Sequence, residues 1–190
     1  MLSVNKAHDS SLRLIKSYLS SSLRSVVSLY FGDLAMADAN RRKAGTYFFT
    51  MRLRAQHRPY LIDYSDLWAE ALKALHQKHS VRIHAYVLLP DHLHMIWTLV
   101  GERGHVRCCD FLAQHFSAAL ANRTGASDKL QRAEFRLFRS YYPTTSIRTL
   151  TELKHWQSRV KDDPVRHGLV QGPADWCYSS AIRRASVGAP

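Results

Sequence analysis

Residues 87–97 read VLLPDHLHMIW, two strand-like runs joined by a Pro-Asp dipeptide. β-branched, aromatic and other apolar residues favour strands, and so short a connector indicates an antiparallel hairpin. We therefore predict strands at Val81–Leu89 and His94–Val100, near the centre of a sheet. Because side chains two apart on a strand point to the same face, His92 and His94 are expected to present their imidazoles side by side.

The chain around this hairpin alternates between strand and helix patterns. Apolar residues at helical spacing, with Ser65 and Asp110 as N-caps and a Thr149/Glu152 capping box, predict three helices. Pro164 is expected to end the last of them. The order strand–helix–strand–strand–helix–strand–helix predicts an α+β, ferredoxin-like sandwich in which helices pack on a central antiparallel sheet. Besides the hairpin, the predicted elements are strands at Thr46–Leu53 and Phe135–Tyr142 and helices at Leu67–Lys78, Phe111–Asn122 and Thr149 to about Lys161.

Composition narrows the class of protein. The 190 residues are 46% hydrophobic, which suits one globular domain, and 27 Lys+Arg against 15 Asp+Glu give a net charge of +12. Such basicity predicts a polyanionic partner, either nucleic acid or an anionic membrane surface. The sequence contains no run of about 18 apolar residues, so it predicts no membrane-spanning helix. Three cysteines without C-x-x-C spacing exclude a disulfide framework and indicate a reducing, cytoplasmic compartment.

Three segments of different character are expected. Residues 1–35 are Ser-rich and basic, superficially like a transit peptide. We interpret them as a peripheral extension, or as translation from a start codon upstream of the natural one. Residues 36–182 are predicted to form the functional domain, and residues 183–190 a flexible tail.

The paired histidines are candidate metal ligands. Two neutral imidazoles with a carboxylate or amide oxygen can hold a divalent ion, which polarises a phosphodiester. With 11 histidines in the chain, chance alone gives roughly 0.6 His-x-His pairs, so the spacing by itself is also compatible with ordinary core or surface histidines.

Four ordered stretches resemble the REP-associated tyrosine transposases, relatives of the single-domain insertion-sequence transposases. LLPDHLHMIWTL at residues 88–99 resembles their HUH signature (His–hydrophobic–His), and GTYFFT at 45–50, after Arg41 and Arg42, resembles their first strand. DPVRHGLV at 163–170 is similar to their Asn-Pro-Val-x-x-Gly-Leu-Val, and DWCYSS at 175–180 to their closing Asp-Trp-x-x-Ser-Ser. The resemblance covers roughly residues 36 to 180.

The resemblance implies a bacterial protein of DNA transposition and recombination that acts on single-stranded or hairpin DNA from a palindromic repeat. It implies that His92, His94 and Asp163 hold Mg²⁺ or Mn²⁺, with Asp163 at the position of the family's asparagine. A tyrosine one helical turn earlier would attack the scissile phosphate, form a 5′-phosphotyrosine and free a 3′-OH. The oligomeric state, monomer or homodimer, stays open.

The sequence departs from this pattern at the nucleophile. Arg159 occupies the tyrosine's expected position, and a guanidinium has no nucleophilic oxygen. Tyr141 and Tyr142 are the nearest tyrosines and become the candidate nucleophiles, with aromatic packing on a strand as their competing interpretation. Candidate DNA contacts are Arg41, Arg42, Lys43, Arg159 and His167.

Three functions are therefore weighed. The leading hypothesis is metal-dependent cleavage and rejoining of DNA strands through a phosphotyrosine. The alternative is a catalytically inactive DNA-binding relative that has lost the nucleophile, as Arg159 suggests. A third hypothesis, a protein that binds a membrane surface through residues 1–35, would not explain the motifs in residues 36 to 180.

Overall fold

A four-stranded antiparallel sheet, in the order β2-β3-β1-β4, lies at the centre of the molecule. The structure is a computed structural model that describes residues 44–54, 58–100, 104–125 and 137–180. The strands are β1 (Ala44–Arg52), β2 (Val81–Leu88), β3 (His92–Val100) and β4 (Thr144–Ile147), and the helices are α1 (Tyr60–Asp63), α2 (Ser65–Lys78), α3 (Gly104–Thr124) and α4 (Leu150–Arg166). A 3₁₀ turn follows at Pro173–Asp175.

The histidine pair lies on β3, one of the two central strands of this sheet. β1 pairs with β3 so that Thr50 is opposite His94 and Arg52 is opposite His92. β2 flanks β3 on the other side and is connected to it by the short turn predicted from the sequence. The start of β3 therefore has a paired strand on each side.

The alternation of side chains along β3 separates two apolar clusters. Leu93, Met95 and Trp97 are buried in the larger cluster together with residues of α2 and α3. Ile96 is buried on the other face, in a smaller cluster with Val160 of α4. Because His92 and His94 alternate with the first set, they lie on the face that α4 covers.

The closing DWCYSS segment binds the outer edge of β2. Trp176 donates from its indole Nε1 to the Leu88 carbonyl at 2.8 Å, and the Ser180 hydroxyl hydrogen-bonds both the N–H and the carbonyl of Tyr86. Leu88 N–H also donates to the Tyr178 carbonyl at 2.9 Å. These bonds fix the end of β2, from which the chain turns into Asp91 and His92.

The predicted α+β, ferredoxin-like fold is confirmed, but the predicted strand at Phe135–Tyr142 is wrong over its described part. Residues 126–136 lie outside the described residues, Phe138 forms only an isolated bridge to Leu53, and the fourth strand begins at Thr144. The neighbours Leu137 and Phe138 are both buried in the larger cluster. A regular strand, whose side chains alternate, does not bury two neighbours on one side.

Three predicted helix boundaries also differ. Pro164 does not end α4, which runs to Arg166. In this last turn a proline removes one backbone hydrogen bond, and both Pro164 and Val160 are buried against the rest of the molecule. Ser65 is the first residue of α2 and Tyr64 its N-cap. Asp110 lies inside α3, whose first turn is fixed to the sheet by a hydrogen bond of 3.0 Å from Trp97 Nε1 to His105 Nδ1.

Several predictions concern residues that the structure does not describe. Residues 1–35, the basic residues Arg41, Arg42 and Lys43, and the tail 183–190 lie outside the described residues. Among the residues that are described, no helix has the length and apolar character needed to cross a membrane.

Candidate metal centre

His92, His94 and Asp163 meet between the sheet and α4. Each contributes one possible ligand atom, and these atoms lie within 4.8 Å of one another. His94 Nε2 donates to Asp163 Oδ2 at 2.9 Å. His92 and Asp163 are buried, with 3% and 5% of their surface exposed. The structure thus brings together the three residues predicted as metal ligands, although Asp163 follows His94 by nearly half of the predicted domain's length.

His94 is oriented by its neighbours on β1 and α4. The Thr50 hydroxyl hydrogen-bonds His94 Nδ1 at 2.8 Å, which leaves Nε2 directed at Asp163. Phe48 stacks on the imidazole with ring centroids 5.4 Å apart, and Trp156 stacks on Phe48 at 4.1 Å. A hydrogen bond to the second ring nitrogen is the usual device by which proteins orient a metal-binding histidine.

His92 is oriented by the residue that precedes it. Its Nδ1 donates to Asp91 Oδ1 at 2.6 Å, and Arg52 Nη1 lies 3.7 Å from the other oxygen of that carboxylate. The Nε2 atom of His92 therefore remains available as a ligand. The rings of His92 and His94 meet edge to face, with centroids 5.0 Å apart.

The electrostatics of the cluster suit a cation. Burial lowers the pKa of His92 and outweighs its hydrogen bond to Asp91, so the ring is neutral at pH 7 and can act as a ligand. Burial alone would raise the pKa of Asp163, but the hydrogen bond from His94 and the positive charges that His94, His167 and His92 carry when protonated lower it. Asp163 is therefore a carboxylate beside two imidazoles.

This set of donors fits a divalent ion. Two imidazole nitrogens and one carboxylate oxygen suit Mn²⁺ and related first-row ions, and the oxygen also suits Mg²⁺. Both histidines have their Nδ1 atoms held by protein groups, Thr50 and Asp91, so binding an ion requires no rearrangement of the rings.

Two of the predicted DNA contacts lie beside the cluster. His167, just after α4, is exposed and its ring centroid lies 5.1 Å from that of His92. Arg159 is exposed on α4, one turn before Asp163, with its guanidinium carbon 5.9 Å from the centre of the Trp156 ring. Because residues four apart share a helix face, Arg159 lies on the same side of α4 as Asp163.

The structure separates the two candidate tyrosines. Tyr142 is 8% exposed in the larger apolar cluster, across the sheet from the histidines, and its hydroxyl donates to Asp110 Oδ1 at 3.0 Å. Tyr142 is therefore not brought to the metal ligands. Tyr141 is 76% exposed. The other described tyrosines lie in or against the larger cluster: Tyr47, Tyr60, Tyr64, Tyr86 and Tyr178.

Sequence reasoning missed the residues that support the ligands. Thr50 and Phe48 lie on β1, and only the β1–β3 register brings them to His94. The role of Asp91 could have been predicted from its position next to His92, because a carboxylate is a common partner for the second nitrogen of a metal-binding histidine. Trp156 lies on α4, and only the packing of α4 on the sheet brings it against Phe48.

Known proteins resemble this chain over most of its length, although no family model matches it. The REP-associated tyrosine transposase of Escherichia coli K12 is 25% identical over 147 residues, which are 77% of this chain and 82% of that protein. A Haemophilus influenzae protein described with the same family name is 28% identical over 145 residues, 74% of this chain and 82% of that protein.

A solved structure resembles the fold. It is a REP-associated tyrosine transposase bound to a REP hairpin, with a TM-score of 0.66 and 24% identity, and the match covers 83% of this chain and 89% of that one. The resemblance predicted from the four motifs is thereby confirmed. The chain is thus similar in sequence to REP-associated tyrosine transposases and shares the fold of the solved one.

Proposed function

We propose that this protein binds single-stranded or hairpin DNA and holds one phosphate of it at His92, His94 and Asp163. The observation that carries the proposal is the meeting of these three ligand atoms within 4.8 Å, in a chain of net charge +12. The solved relative bound to a REP hairpin supports hairpin DNA as the substrate class.

The roles of the residues follow from their chemistry. Bound Mg²⁺ or Mn²⁺ would supply a Lewis acid that polarises the phosphodiester. His92 and His94 would hold it through Nε2, and Asp163 through a carboxylate oxygen. Arg159, exposed one turn before Asp163, stays protonated and can bind a phosphate oxygen but cannot attack phosphorus.

Strand cleavage and rejoining is the second candidate function, and the position of Tyr141 favours it. Thr50 N–H donates to the Pro143 carbonyl and Arg139 N–H to the Arg52 carbonyl, so that residues 140–142 all lie opposite Met51 alone. Bulges of this kind redirect side chains beside active sites. The Tyr141 side chain is exposed there, on a segment that β1 separates from β3 and His94.

In this second function Tyr141 Oη attacks the phosphorus of the scissile diester. The new P–Oη bond forms as the bond to the 3′ oxygen breaks, the phenol loses its proton, and the 3′ oxygen gains one. The reverse step rejoins the strand without another energy source. Tyr142 would reach a phosphate only after leaving its buried hydrogen bond to Asp110.

One experiment tests both functions. The full chain is incubated with labelled hairpin DNA carrying single-stranded flanks, with Mn²⁺ or with chelator, and is run on native and denaturing gels. We expect binding that Mn²⁺ strengthens and that His94→Ala weakens. Absence of any complex with hairpin or single-stranded DNA would refute the proposed function.

The denaturing gel decides between the two functions. A covalent adduct that Tyr141→Phe removes, and that Tyr142→Phe retains, would establish cleavage by Tyr141. Native binding without an adduct would identify a DNA-binding relative, in which case Arg159→Ala should weaken binding.

A further inference from the structure

We infer that Arg52 and Arg139 form a phosphate-binding row that leads away from the metal centre along the DNA strand. The inference rests on the proposed function and extends it, because it names where the strand runs after the phosphate held at His92 and His94. Starting from His92, the row runs through Arg52 to Arg139 and so crosses three neighbouring chain segments at one end of the sheet.

The backbone register aligns the row. Arg52 lies opposite His92 in the β1–β3 pairing. The bridge between Leu53 and Phe138, with Arg139 N–H donating to the Arg52 carbonyl at 2.9 Å, places Arg139 opposite Arg52. Residues opposite each other on paired strands share a face, and paired strands are about 4.8 Å apart, so the row spans roughly 10 Å.

The face of the row is the face of the metal centre. Leu53 and Phe138, the neighbours of the two arginines, are buried in the cluster on the α2 and α3 side. Alternation along β1 therefore directs Arg52 to the opposite side of the sheet, where His92 lies, and Arg139, opposite Arg52, shares that face.

The two arginines of the row have few acidic partners among the described residues. Two arginines directly opposite each other repel. Among the described residues, the one carboxylate that Arg52 reaches is that of Asp91, at 3.7 Å, and it is already hydrogen-bonded to His92. Arg139 is exposed, and no carboxylate of the described residues lies within 4.0 Å of it.

Arg54 adds a third positive charge at the same end. It is exposed, and its Nε donates to the Phe138 carbonyl at 3.2 Å, which fixes the guanidinium beside the segment that carries Arg139. A chain of phosphates supplies what this arrangement lacks, successive negative charges that can each pair with a guanidinium.

Arg139 gives the cleanest test. Arg52 contacts the carboxylate that orients His92, so changing it would also disturb the metal centre. Lys73 is a matched control, because it is an exposed cation on α2, across the sheet. Removing either residue lowers the net charge by one.

The measurement is the salt dependence of binding. The dissociation constant of the full chain for a labelled single-stranded oligonucleotide is measured over a NaCl series with Mn²⁺ present. Each phosphate contact to a single strand contributes about 0.7 to the slope of log K against log salt. We expect Arg139→Ala to reduce the slope by about 0.7, Arg139→Lys to retain it, and Lys73→Ala to leave it unchanged.

The outcomes separate this inference from the proposed function. If the wild-type chain binds and Arg139→Ala has the slope of the wild type, the row is not a phosphate site, although the proposed function stands. If Lys73→Ala lowers the slope as much as Arg139→Ala, the effect is one of net charge and the inference is also wrong. If the wild-type chain does not bind DNA, both proposals fail. Thermal melting of each variant confirms that it is folded.

Discussion

The two faces of the sheet use histidine in opposite ways. On the α2 and α3 side, His105 has both ring nitrogens occupied: Nδ1 accepts from Trp97 Nε1 at 3.0 Å, and Nε2 donates to the Thr144 hydroxyl at 2.9 Å. On the α4 side, His92 and His94 each have Nδ1 held by the protein, and His94 directs Nε2 at Asp163. The two kinds of histidine thus differ in the group that meets Nε2, which is another potential metal ligand, Asp163, for His94 and a hydroxyl, that of Thr144, for His105.

The burial of these histidines alone does not make this distinction. Burial lowers the pKa of His105 to about 4 and also lowers that of His92. Both rings are therefore neutral at pH 7, the form in which an imidazole can bind a metal. Only His92 lies next to a second imidazole and a carboxylate.

The largest expected effect is loss of the metal centre. Asp163→Ala removes the only carboxylate of the cluster, and we expect Mn²⁺ affinity to fall by at least about 100-fold, beyond the range seen for outer-shell partners. Asp163→Asn keeps an oxygen ligand and should lose less. Calorimetric titration with Mn²⁺ measures both variants, and equal affinity of Asp163→Ala and wild type would exclude Asp163 as a ligand.

An intermediate effect is expected at the residue that orients His94. Thr50→Val removes the hydroxyl from Nδ1 with little change of shape, and we expect Mn²⁺ affinity to fall by about 10–100-fold. Thr50→Ser retains the hydroxyl and serves as the control. A Thr50→Val variant with unchanged affinity would mean that packing by Phe48 and Trp156 alone orients the ring.

The last expected effect leaves metal binding unchanged and concerns the stability of the other face. His105 has a folded-state pKa of about 4, against an unfolded value near 6.5, so the unfolded chain binds more protons between these values. The contribution of His105 is thus complete above pH 6.5 and decreases as pH falls towards 4, by at most about 1.4 kcal/mol per pH unit.

Thermal melts in chelator from pH 7 to 4 test this sign. His105→Gln, which cannot be protonated, should show a shallower decline of the melting temperature than the wild type. His76 and His84, whose pKa values burial also lowers to about 4, keep part of the decline in the variant. Identical pH profiles would show that His105 is not protonated on unfolding in this range.

Local patterns predicted much of the fold. The Thr149 and Glu152 capping box forms as predicted, with the Glu152 N–H donating to the Thr149 hydroxyl, because its partners are three residues apart. The order of elements and the hairpin before His92 are likewise local features. The helix end at Pro164 was not predictable in this way, since the burial of Pro164 and Val160 outweighs the local cost of a proline.

The amino-acid sequence by itself therefore determined that His92 and His94 share a face, because side chains alternate with a period of two along any strand. Only the tertiary structure decided what meets them there. Asp163 reaches His94 from α4, Thr50 from β1, and Tyr142 is directed to the other face. These contacts depend on strand register and on which face α4 covers. Packing between distant segments fixes both the register and the covered face, so neither can be predicted from a short stretch of sequence.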